Sequence, residues 1–488
     1  MSRRPTVGVV PCIEFDPTSD VPFYVQIYNG YRGAIASGQL MPGQRLPSTR
    51  TIAEHLEVSR FPVLSAFDQL LRDGYIVGRV GSGTYVREDI PEHGTKPITL
   101  RRAPATATGS ERLGPADGSG AGIKGVGPLS IDLPAVDHFP RKTFSRLLQR
   151  HVDDMSAADM AYGDPAGHAA LREAVAAYLR TSRAVVCDAS QVLIVAGSQS
   201  GLAITALALA SAESLVCVEE PGSPEVRQAL GRSKSEVIGV PVDEGGMDVR
   251  ALKRLPTTAT LVHVTPSHQY PLGPAMEVTR RLELLDWAKR NGSWIVEDDF
   301  DSEFHYNRRP LGAIQGMDTA GRVIYLGTFS RVLFPALRFG YMVVPRELVQ
   351  RFVEVRMSLD ICSPILDQLV LADFIGDGHL GRHLLQMRRV YRGRRDALVA
   401  ALRENAADVL TPGHSEGGLH LVAFLPDGID DSDVVKRVAI HGLYPSALSP
   451  CYAGSPPRLG LMLGFGGSDE CVLTRAVTVL AELIRTMD

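Results

Sequence analysis

The sequence predicts an α/β protein with a small helical domain that ends in a β-hairpin, a linker, and a large domain built on a mainly parallel sheet. Residues 22–87 contain three helical patterns and then two alternating, strand-like stretches around Gly-Ser-Gly. Residues 91–127 are rich in small and turn-forming residues and have no hydrophobic period. From about residue 128 onward, short apolar runs alternate with helical patterns, which is typical of a mainly parallel sheet.

The composition is that of a globular protein. A chain of 488 residues exceeds the size of one ordinary core, so we expect more than one domain. No apolar run reaches the roughly 20 residues of a membrane-spanning helix, so we expect a cytoplasmic protein without a membrane partner. Six cysteines without metal-ligand spacing predict buried free thiols and no metal site. The net charge of −4 excludes a uniformly basic surface but allows a local basic face.

Three helices are predicted in the first 75 residues. The first lies within residues 22–38 and ends in a stretch rich in glycine and proline. Ser48 or Thr49 can cap the second helix, and Ser59 can cap the third, in which Pro62 falls in the first turn. The third helix is expected to bury Val63, Ala66, Phe67, Leu70 and Leu71.

The segment YIVGRVGSGTYV after the third helix predicts a short β-hairpin. Three helices and a hairpin together make a winged helix-turn-helix, in which the third helix enters the major groove of DNA while the wing holds phosphates. Residues 32–87 contain seven arginines and four acidic residues, which supports a basic face.

The stretch LPSTRTIAEHLEVSRFPVLSAFDQLLRDGYIVGRVGSGTYV resembles the DNA-binding domain of the GntR family along its whole length. The resemblance implies a DNA-contacting set of Arg50, Ser59, Arg60, Gly81 and Gly83. In it the arginines contact bases or phosphates, and the glycines let the wing approach the minor groove. The alternative for either arginine is a solvated surface charge. Phe61 and Pro62 depart from the family, which usually has two polar residues after the Ser-Arg pair.

Domain boundaries follow from these patterns. We predict a DNA-binding domain at residues 1–90, a flexible linker at 91–127, and an effector-binding and dimerisation domain at 128–488. The basic residues of the linker either graze DNA or only keep a tether soluble.

The large domain contains the motifs AYGDPAGHAALREAV, VAGSQSGL, EEPGSP, VTPSHQYPLG, VEDDFDSEFHY and LGTFSRVLFPALRFGY. In their order and spacing they resemble enzymes of fold type I that use pyridoxal phosphate (PLP), and more closely the MocR or GabR-like regulators. Those regulators join a GntR domain to an aminotransferase-like domain. The resemblance implies operator DNA, a small-molecule effector and a homodimer.

A phosphate-binding cup is predicted where Gly197-Ser198-Gln199 follows a strand and opens a helix, because N–H groups at a helix start attract anions. An ordinary strand-to-helix turn is the alternative. By resemblance, Asp298 would pair with the pyridine nitrogen of PLP, although a strand-end carboxylate is the simpler interpretation. The full cofactor-binding set implied by the resemblance is Ser198, Gln199, Asp298, Thr328, Ser330, Arg331 and Arg338.

Arg331 is the main departure from the family. It stands where the pattern G-T-F-S-K has the lysine that forms a Schiff base with PLP, and a guanidinium has no free amine lone pair. Phe300 replaces a tyrosine that hydrogen-bonds the cofactor, and Ser223 stands where relatives commonly have a tyrosine. We therefore predict no internal PLP aldimine and no catalytic residues.

The leading hypothesis is a transcription regulator whose aminotransferase-like domain senses a small anionic ligand. The alternative is a regulator that binds PLP, or a PLP–amine adduct, non-covalently through Asp298, Ser330 and Arg338, so the cofactor is left open. A catalytic aminotransferase would need the missing lysine. Arg458 is either a ligand-carboxylate contact, as a nearby arginine is in relatives, or a surface charge.

Overall fold

The structure is a computed structural model, and it describes residues 21–79, 83–88, 125–131, 133–306, 311–414, 416–454 and 456–487. The chain forms two compact units, residues 1–115 and 116–488, which are treated separately below. Only the last three residues of the predicted linker at 91–127 fall within the described ranges, so the predicted domain boundaries stay predictions.

The described part of the N-terminal unit contains three helices and one hairpin, as predicted. Their bounds are α1 Phe23–Ala36, α2 Thr49–His55, α3 Arg60–Arg72, β1 Ile76–Arg79 and β2 Gly83–Val86. The two strands are antiparallel, with Arg79 opposite Gly83. Ser48 caps α2 by accepting a hydrogen bond from the backbone N–H of Thr51. Ser59 occupies the N-cap position of α3 but makes no side-chain capping bond.

The core of this unit is formed by one face of each helix and the hairpin. Its central members are Ile27, Tyr31, Ile52, Val63, Ala66, Phe67, Leu70, Ile76 and Val86. The predicted burial of Leu71 is wrong, because 42% of this residue is exposed. Successive helical residues point about 100° apart, so a helix that buries Phe67 and Leu70 turns Leu71 towards solvent.

The large unit consists of two sheets and eleven helices within the described residues. Its helices are α4 Arg141–Asp154, α5 Ala169–Ser182, α6 Ser198–Leu209, α7 Pro224–Leu230, α8 Val249–Leu252, α9 Val278–Asn291, α10 Val349–Asp360, α11 Ile365–Gly376, α12 His379–Asn405, α13 Asp431–Ala439 and α14 Glu470–Arg485. Its strands are β3 Val192–Val195, β4 Leu215–Glu220, β5 Glu236–Asp243, β6 Gly246–Met247, β7 Leu261–Val264, β8 Trp294–Asp298, β9 Val323–Thr328, β10 Gly340–Val343, β11 Thr411–Pro412, β12 His420–Phe424, β13 Ser446–Ala447 and β14 Gly460–Gly464.

The larger sheet has eight strands in the order β3-β10-β9-β8-β7-β4-β5-β6. The central strands β9, β8, β7, β4 and β5 pair in parallel, whereas β10 runs antiparallel to both neighbours and β6 antiparallel to β5. The prediction of a mainly parallel sheet is therefore confirmed. The smaller sheet is antiparallel, in the order β11-β12-β14-β13.

Apolar runs form these central strands because both faces of the sheet are covered by helices. Parallel strands bring their carboxyl ends to one edge, where ligands bind in open α/β sheets. Glu219, Asp298 and Thr328 lie at the ends of β4, β8 and β9, and Thr265 directly follows β7. Four polar side chains are thereby gathered at one edge of the sheet.

The five cysteines in the described ranges are free thiols. Three are buried as predicted, Cys362 is half-buried, and burial is wrong for Cys471, which is exposed on α14. Within the described residues, no group of histidine, cysteine and acidic side chains is arranged to hold a metal ion. None of the helices in those ranges has both the length and the apolar character needed to cross a bilayer.

Candidate functional site

A cavity of about 320 Å³ opens at the carboxyl edge of the parallel strands. The structure brings together around it all the residues that the family resemblance assigned to cofactor binding, namely Ser198, Gln199, Asp298, Thr328, Ser330, Arg331 and Arg338. Phe300 and Ser223, the two other departures from the family, also line it. Residues separated by more than a hundred positions therefore share one small space.

One end of the cavity is built to attract an anion. Gly197 has φ +82° and precedes the first residue of α6, so the N–H groups of Ser198 and Gln199 lie in the first helical turn. Arg338 is held next to this turn by a hydrogen bond from its Nη2 to the carbonyl oxygen of Ala196, at 2.9 Å. A helix start and an adjacent guanidinium are together a suitable site for a phosphate or carboxylate.

The cavity lining also contains a buried carboxylate, that of Asp298. Within the described residues, Oδ1 of Asp298 has no hydrogen-bond partner, and Oδ2 lies 3.5 Å from Nε2 of His263. Nε2 of His263 has no hydrogen-bond partner there either. Buried polar atoms are nearly always satisfied in folded proteins. This pair therefore fits a ligand that presents an N–H group to Asp298, as a protonated pyridine nitrogen would.

Glu219 adds a second buried acid that sequence reasoning missed. Burial raises the pKa of its carboxyl to about 6, although hydrogen bonds from the hydroxyl and backbone N–H of Thr265 partly oppose that rise. His263 is a single polar residue inside the apolar run TLVHVTP, and Glu219 is the first of two glutamates that end the apolar run SLVCVEE. These polar residues in buried strands were the signal available in the sequence.

Replacing Glu219 by glutamine is expected to flatten the pH dependence of stability. A raised carboxyl pKa favours folding below the unfolded value of about 4.3, and this contribution is lost as pH rises through about 6. The free energy of unfolding of the variant should equal that of the wild type near pH 4.5 and exceed it by about 2 kcal/mol at pH 8. Urea unfolding of both proteins between pH 4.5 and pH 8 measures this difference in the free energy of unfolding. Equal pH slopes for both proteins would contradict the assignment, and Glu225→Gln, which alters an exposed carboxylate of the same cavity, is the control.

Arg331 lies in the wall of the cavity with only 13% of its side chain exposed. Its Nη1 donates a hydrogen bond to the carbonyl oxygen of Ile131, and its Nε lies 4.0 Å from Oδ1 of Asp301. Its guanidinium carbon is 5.9 Å from the ring centre of Phe300. The position thus presents a fixed positive charge where an amine would be needed for a covalent bond to PLP.

No other amine replaces the missing lysine in the part of the cavity that the structure describes. The chain has only seven lysines, at positions 96, 124, 142, 234, 253, 289 and 436. The first two lie outside the described residues, and the other five are exposed and absent from the cavity lining. Covalent attachment of PLP in this cavity therefore has no nucleophile among the described side chains.

Arg458 is not brought to the cavity. It is exposed, and its guanidinium carbon lies 3.3 Å from the ring centre of Phe424. The reason is local, since Arg458 leads into β14 and Phe424 pairs opposite Gly460 in the smaller sheet. The geometry therefore gives no support to the expected contact with a ligand carboxylate.

A basic surface forms where the second and third helices of the N-terminal unit begin. Nε of Arg60 donates a hydrogen bond to the hydroxyl of Thr49 at 3.2 Å, which places the start of α3 beside the start of α2. Arg50, the next residue of α2, is exposed and pairs with Glu54 at 3.0 Å. Ser59 is exposed beside Arg60. Three of the predicted DNA-contacting residues therefore occupy neighbouring positions.

Arg45, which lies between α1 and α2, is a further arginine close to the wing that sequence reasoning did not assign. Gly83 has φ +115°, and a Cβ atom there would lie 3.1 Å from Nε of Arg45. Glycine thus allows the close approach of Arg45 to the hairpin. Gly81, the other predicted wing residue, lies outside the described residues.

Comparisons with known proteins agree with this two-part organisation. Residues 135–459 match the family model of class I and II aminotransferases, and residues 23–86 match that of the bacterial regulatory proteins of the gntR family. The chain is 37% identical to the probable rhizopine catabolism regulatory protein MocR of Rhizobium meliloti, over 95% of this chain and 94% of that protein. It is 33% identical to the pyridoxine biosynthesis transcriptional regulator PdxR of Corynebacterium glutamicum, over 96% and 97% of the two chains.

Solved structures match the large unit. The kynurenine aminotransferase of Pyrococcus horikoshii superposes with a TM-score of 0.68 at 29% identity, covering 73% of this chain and 90% of that one. A multiple substrate aminotransferase from Thermococcus profundus gives a TM-score of 0.68 at 28% identity, with the same coverage. The predicted fold type I architecture is thereby confirmed.

Proposed function

Since the chain belongs to the class I and II aminotransferase family and joins that domain to a GntR-family domain, as MocR-type regulators do, we propose that it is a ligand-sensing, DNA-binding transcription regulator. Its aminotransferase-like cavity takes a small anionic ligand that is held without a covalent bond. The observation that carries this proposal is Arg331, a guanidinium in the position of the lysine, beside an anion-binding end that is intact.

The DNA-binding half is supported by the exposed arginines at the start of α2 and α3. Replacing Arg60 by alanine is expected to weaken binding to a specific duplex by about 1–3 kcal/mol, which is the usual contribution of a base-reading side chain. The duplex is obtained by selection from a random library with the full-length protein, and affinity is measured by fluorescence anisotropy.

The matched control is Arg72→Ala, which removes an exposed arginine from the last turn of the same helix. It is expected to leave affinity within about 0.5 kcal/mol of the wild type. Equal losses for both variants would indicate only a general charge effect. An unchanged affinity of the Arg60 variant would contradict the assignment of this surface.

The ligand-binding half rests on the charge distribution of the cavity. The start of α6 and Arg338 attract an anionic group, and Arg331 adds a second fixed positive charge. A guanidinium stays protonated in proteins and cannot accept or deliver a proton. The cavity can thus bind and orient a ligand but lacks the group that transamination requires, and the full-length relatives MocR and PdxR are named as regulators.

A second candidate ligand is PLP itself, bound non-covalently, and the orphaned Oδ1 of Asp298 favours it. Asp298 would hold the ring nitrogen, while Ser198, Ser330 and Arg338 would hold the phosphate. PLP supplies an electron-withdrawing ring and an aldehyde. The residues present fit its ring and its phosphate but offer no amine to its aldehyde.

We further propose that the protein is a homodimer and that it acts in the cytoplasm. Met160 and Tyr162 are large apolar side chains that are strongly exposed in the AYGDPAGH region of the large unit. Exposed apolar side chains of this size are typical of surfaces that a protein partner covers. Dimeric regulators pair two DNA half-sites, so a dimer would match an operator with two-fold symmetry or repeated half-sites.

A further inference from the structure

The outer face of α3 is apolar at its N-terminal end. Phe61, the second residue of the helix, is 77% exposed, and Leu64, one turn later, is 44% exposed. The inner face of the same helix already contains the side chains that form the core, such as Val63 and Phe67. Phe61 and Leu64 therefore contribute little to the folding of this unit.

The position of Phe61 relates it to the basic surface. It directly follows Arg60, which contacts Thr49 at the start of α2. Side chains on a helix are tilted towards its N-terminus, so the ring of Phe61 is directed past the first turn, towards the end that carries Arg60. A large apolar ring that no other described residue of its unit covers thus stands beside the charges expected to meet DNA.

We propose that Phe61, with Leu64 beside it, reads thymine by packing against its 5-methyl group in the major groove, an inference that rests on the proposed DNA-binding function. A phenyl ring has no hydrogen-bond donor or acceptor, so it cannot read the polar edge of any base. Thymine is the base that presents an apolar group in the major groove. Contact between the ring and the methyl group removes apolar surface of both from water, which is favourable.

The experiment uses the full-length protein and a duplex selected from a random library. Each thymine of that duplex is replaced singly by deoxyuridine, which removes the 5-methyl group and leaves all hydrogen-bonding groups unchanged. For the wild type, affinity is expected to fall roughly threefold to tenfold at one or two positions in each half-site, the effect of one buried methyl group. Fluorescence anisotropy measures the affinities.

Phe61→Ala is the variant that assigns the contact. It is expected to bind the thymine duplex roughly threefold to tenfold more weakly and to be insensitive to deoxyuridine at the same positions. Its urea-unfolding midpoint should match the wild type, because the ring is exposed. Leu71→Ala removes another exposed leucine from the far end of the same helix, and it should keep both the affinity and the deoxyuridine sensitivity of the wild type.

Three results would overturn the inference. One is specific binding by the wild type that deoxyuridine does not weaken at any position. Another is a deoxyuridine substitution that lowers the affinity of the wild type and of Phe61→Ala by the same factor. The third is a change in oligomeric state of that variant by light scattering, which would assign the ring to contact with a second copy of the chain. These results leave the proposed function standing, whereas failure to select any specific duplex would overturn both.

Discussion

Replacement of Asp299 by asparagine is expected to destabilise the large unit by about 3–5 kcal/mol, because it leaves a buried guanidinium without its counter-charge. The carboxylate accepts hydrogen bonds from Nε and Nη2 of Arg183 at 2.7 and 3.1 Å, and from the hydroxyls of Ser267 and Tyr325. Burial by itself would raise the pKa of Asp299, but the charge of Arg183 and these donors outweigh it and hold the pKa below its usual value.

The adjacent residue supplies the matched control. Asp298→Asn makes the same chemical change one position earlier, where Oδ1 has no hydrogen-bond partner among the described residues. Its effect on stability is expected to stay within about 1 kcal/mol, since Asp298, unlike Asp299, accepts no hydrogen bond from a buried guanidinium among the described residues. Asp298→Asn should instead weaken non-covalent PLP binding. If the carboxylate meets a protonated ring nitrogen, affinity should fall tenfold or more, because a hydrogen bond to a charged group contributes about 1.5–3 kcal/mol.

Tryptophan fluorescence during urea unfolding measures the two stabilities. The chain has two tryptophans, Trp287 on α9 and Trp294 on β8, so the signal reports the large unit alone. Equal destabilisation by both substitutions would contradict the distinction between a structural aspartate and a ligand-binding one. Weakened PLP binding in the Asp299 variant alone would contradict it as well.

Arg331→Lys is expected to introduce covalent attachment of PLP. The anion-binding end of the cavity and the unpartnered oxygen of Asp298 are both present, so the missing element is an amine at position 331. After incubation with PLP and reduction with borohydride, the variant should carry close to one phosphopyridoxyl group per chain. Intact-protein mass spectrometry and peptide mapping measure the extent and the site.

The control for covalent attachment of PLP is Arg338→Lys, which places an amine at the anion-binding end of the same cavity. It is expected to acquire no stoichiometric adduct, because that end is directed at the phosphate. Failure of the Arg331 variant to form an adduct would mean that Phe300 and Ser223 belong to a cavity reshaped for another ligand.

Much of the fold could be predicted from local patterns. Turn residues and capping residues marked α2 and α3, and Gly197 marked the start of α6. The cavity followed from topology, since motifs at the ends of parallel strands must meet at one edge. Residues as far apart in sequence as Ser198 and Arg338 could therefore be assigned to one site before their geometry was known.

The remainder depended on contacts that periodicity does not encode. Arg458 was assigned from an approximate resemblance, but pairing of β12 with β14 stacks it on Phe424 instead. Glu219 and His263 lie at the end of or within apolar runs, where a polar residue is more often a satisfied core group than part of a cavity. Their roles required the register of neighbouring strands, which the sequence does not specify.

The most direct test of the account is borohydride reduction of the wild-type protein after incubation with one equivalent of PLP, followed by mass spectrometry and peptide mapping. We predict no stoichiometric adduct at any single position, because Arg331 occupies the place of the lysine and the described lysines are exposed and away from the cavity. Any PLP that binds should be removed by dialysis. A single lysine carrying close to one phosphopyridoxyl group per chain would contradict the claim that this cavity binds its ligand without a covalent bond.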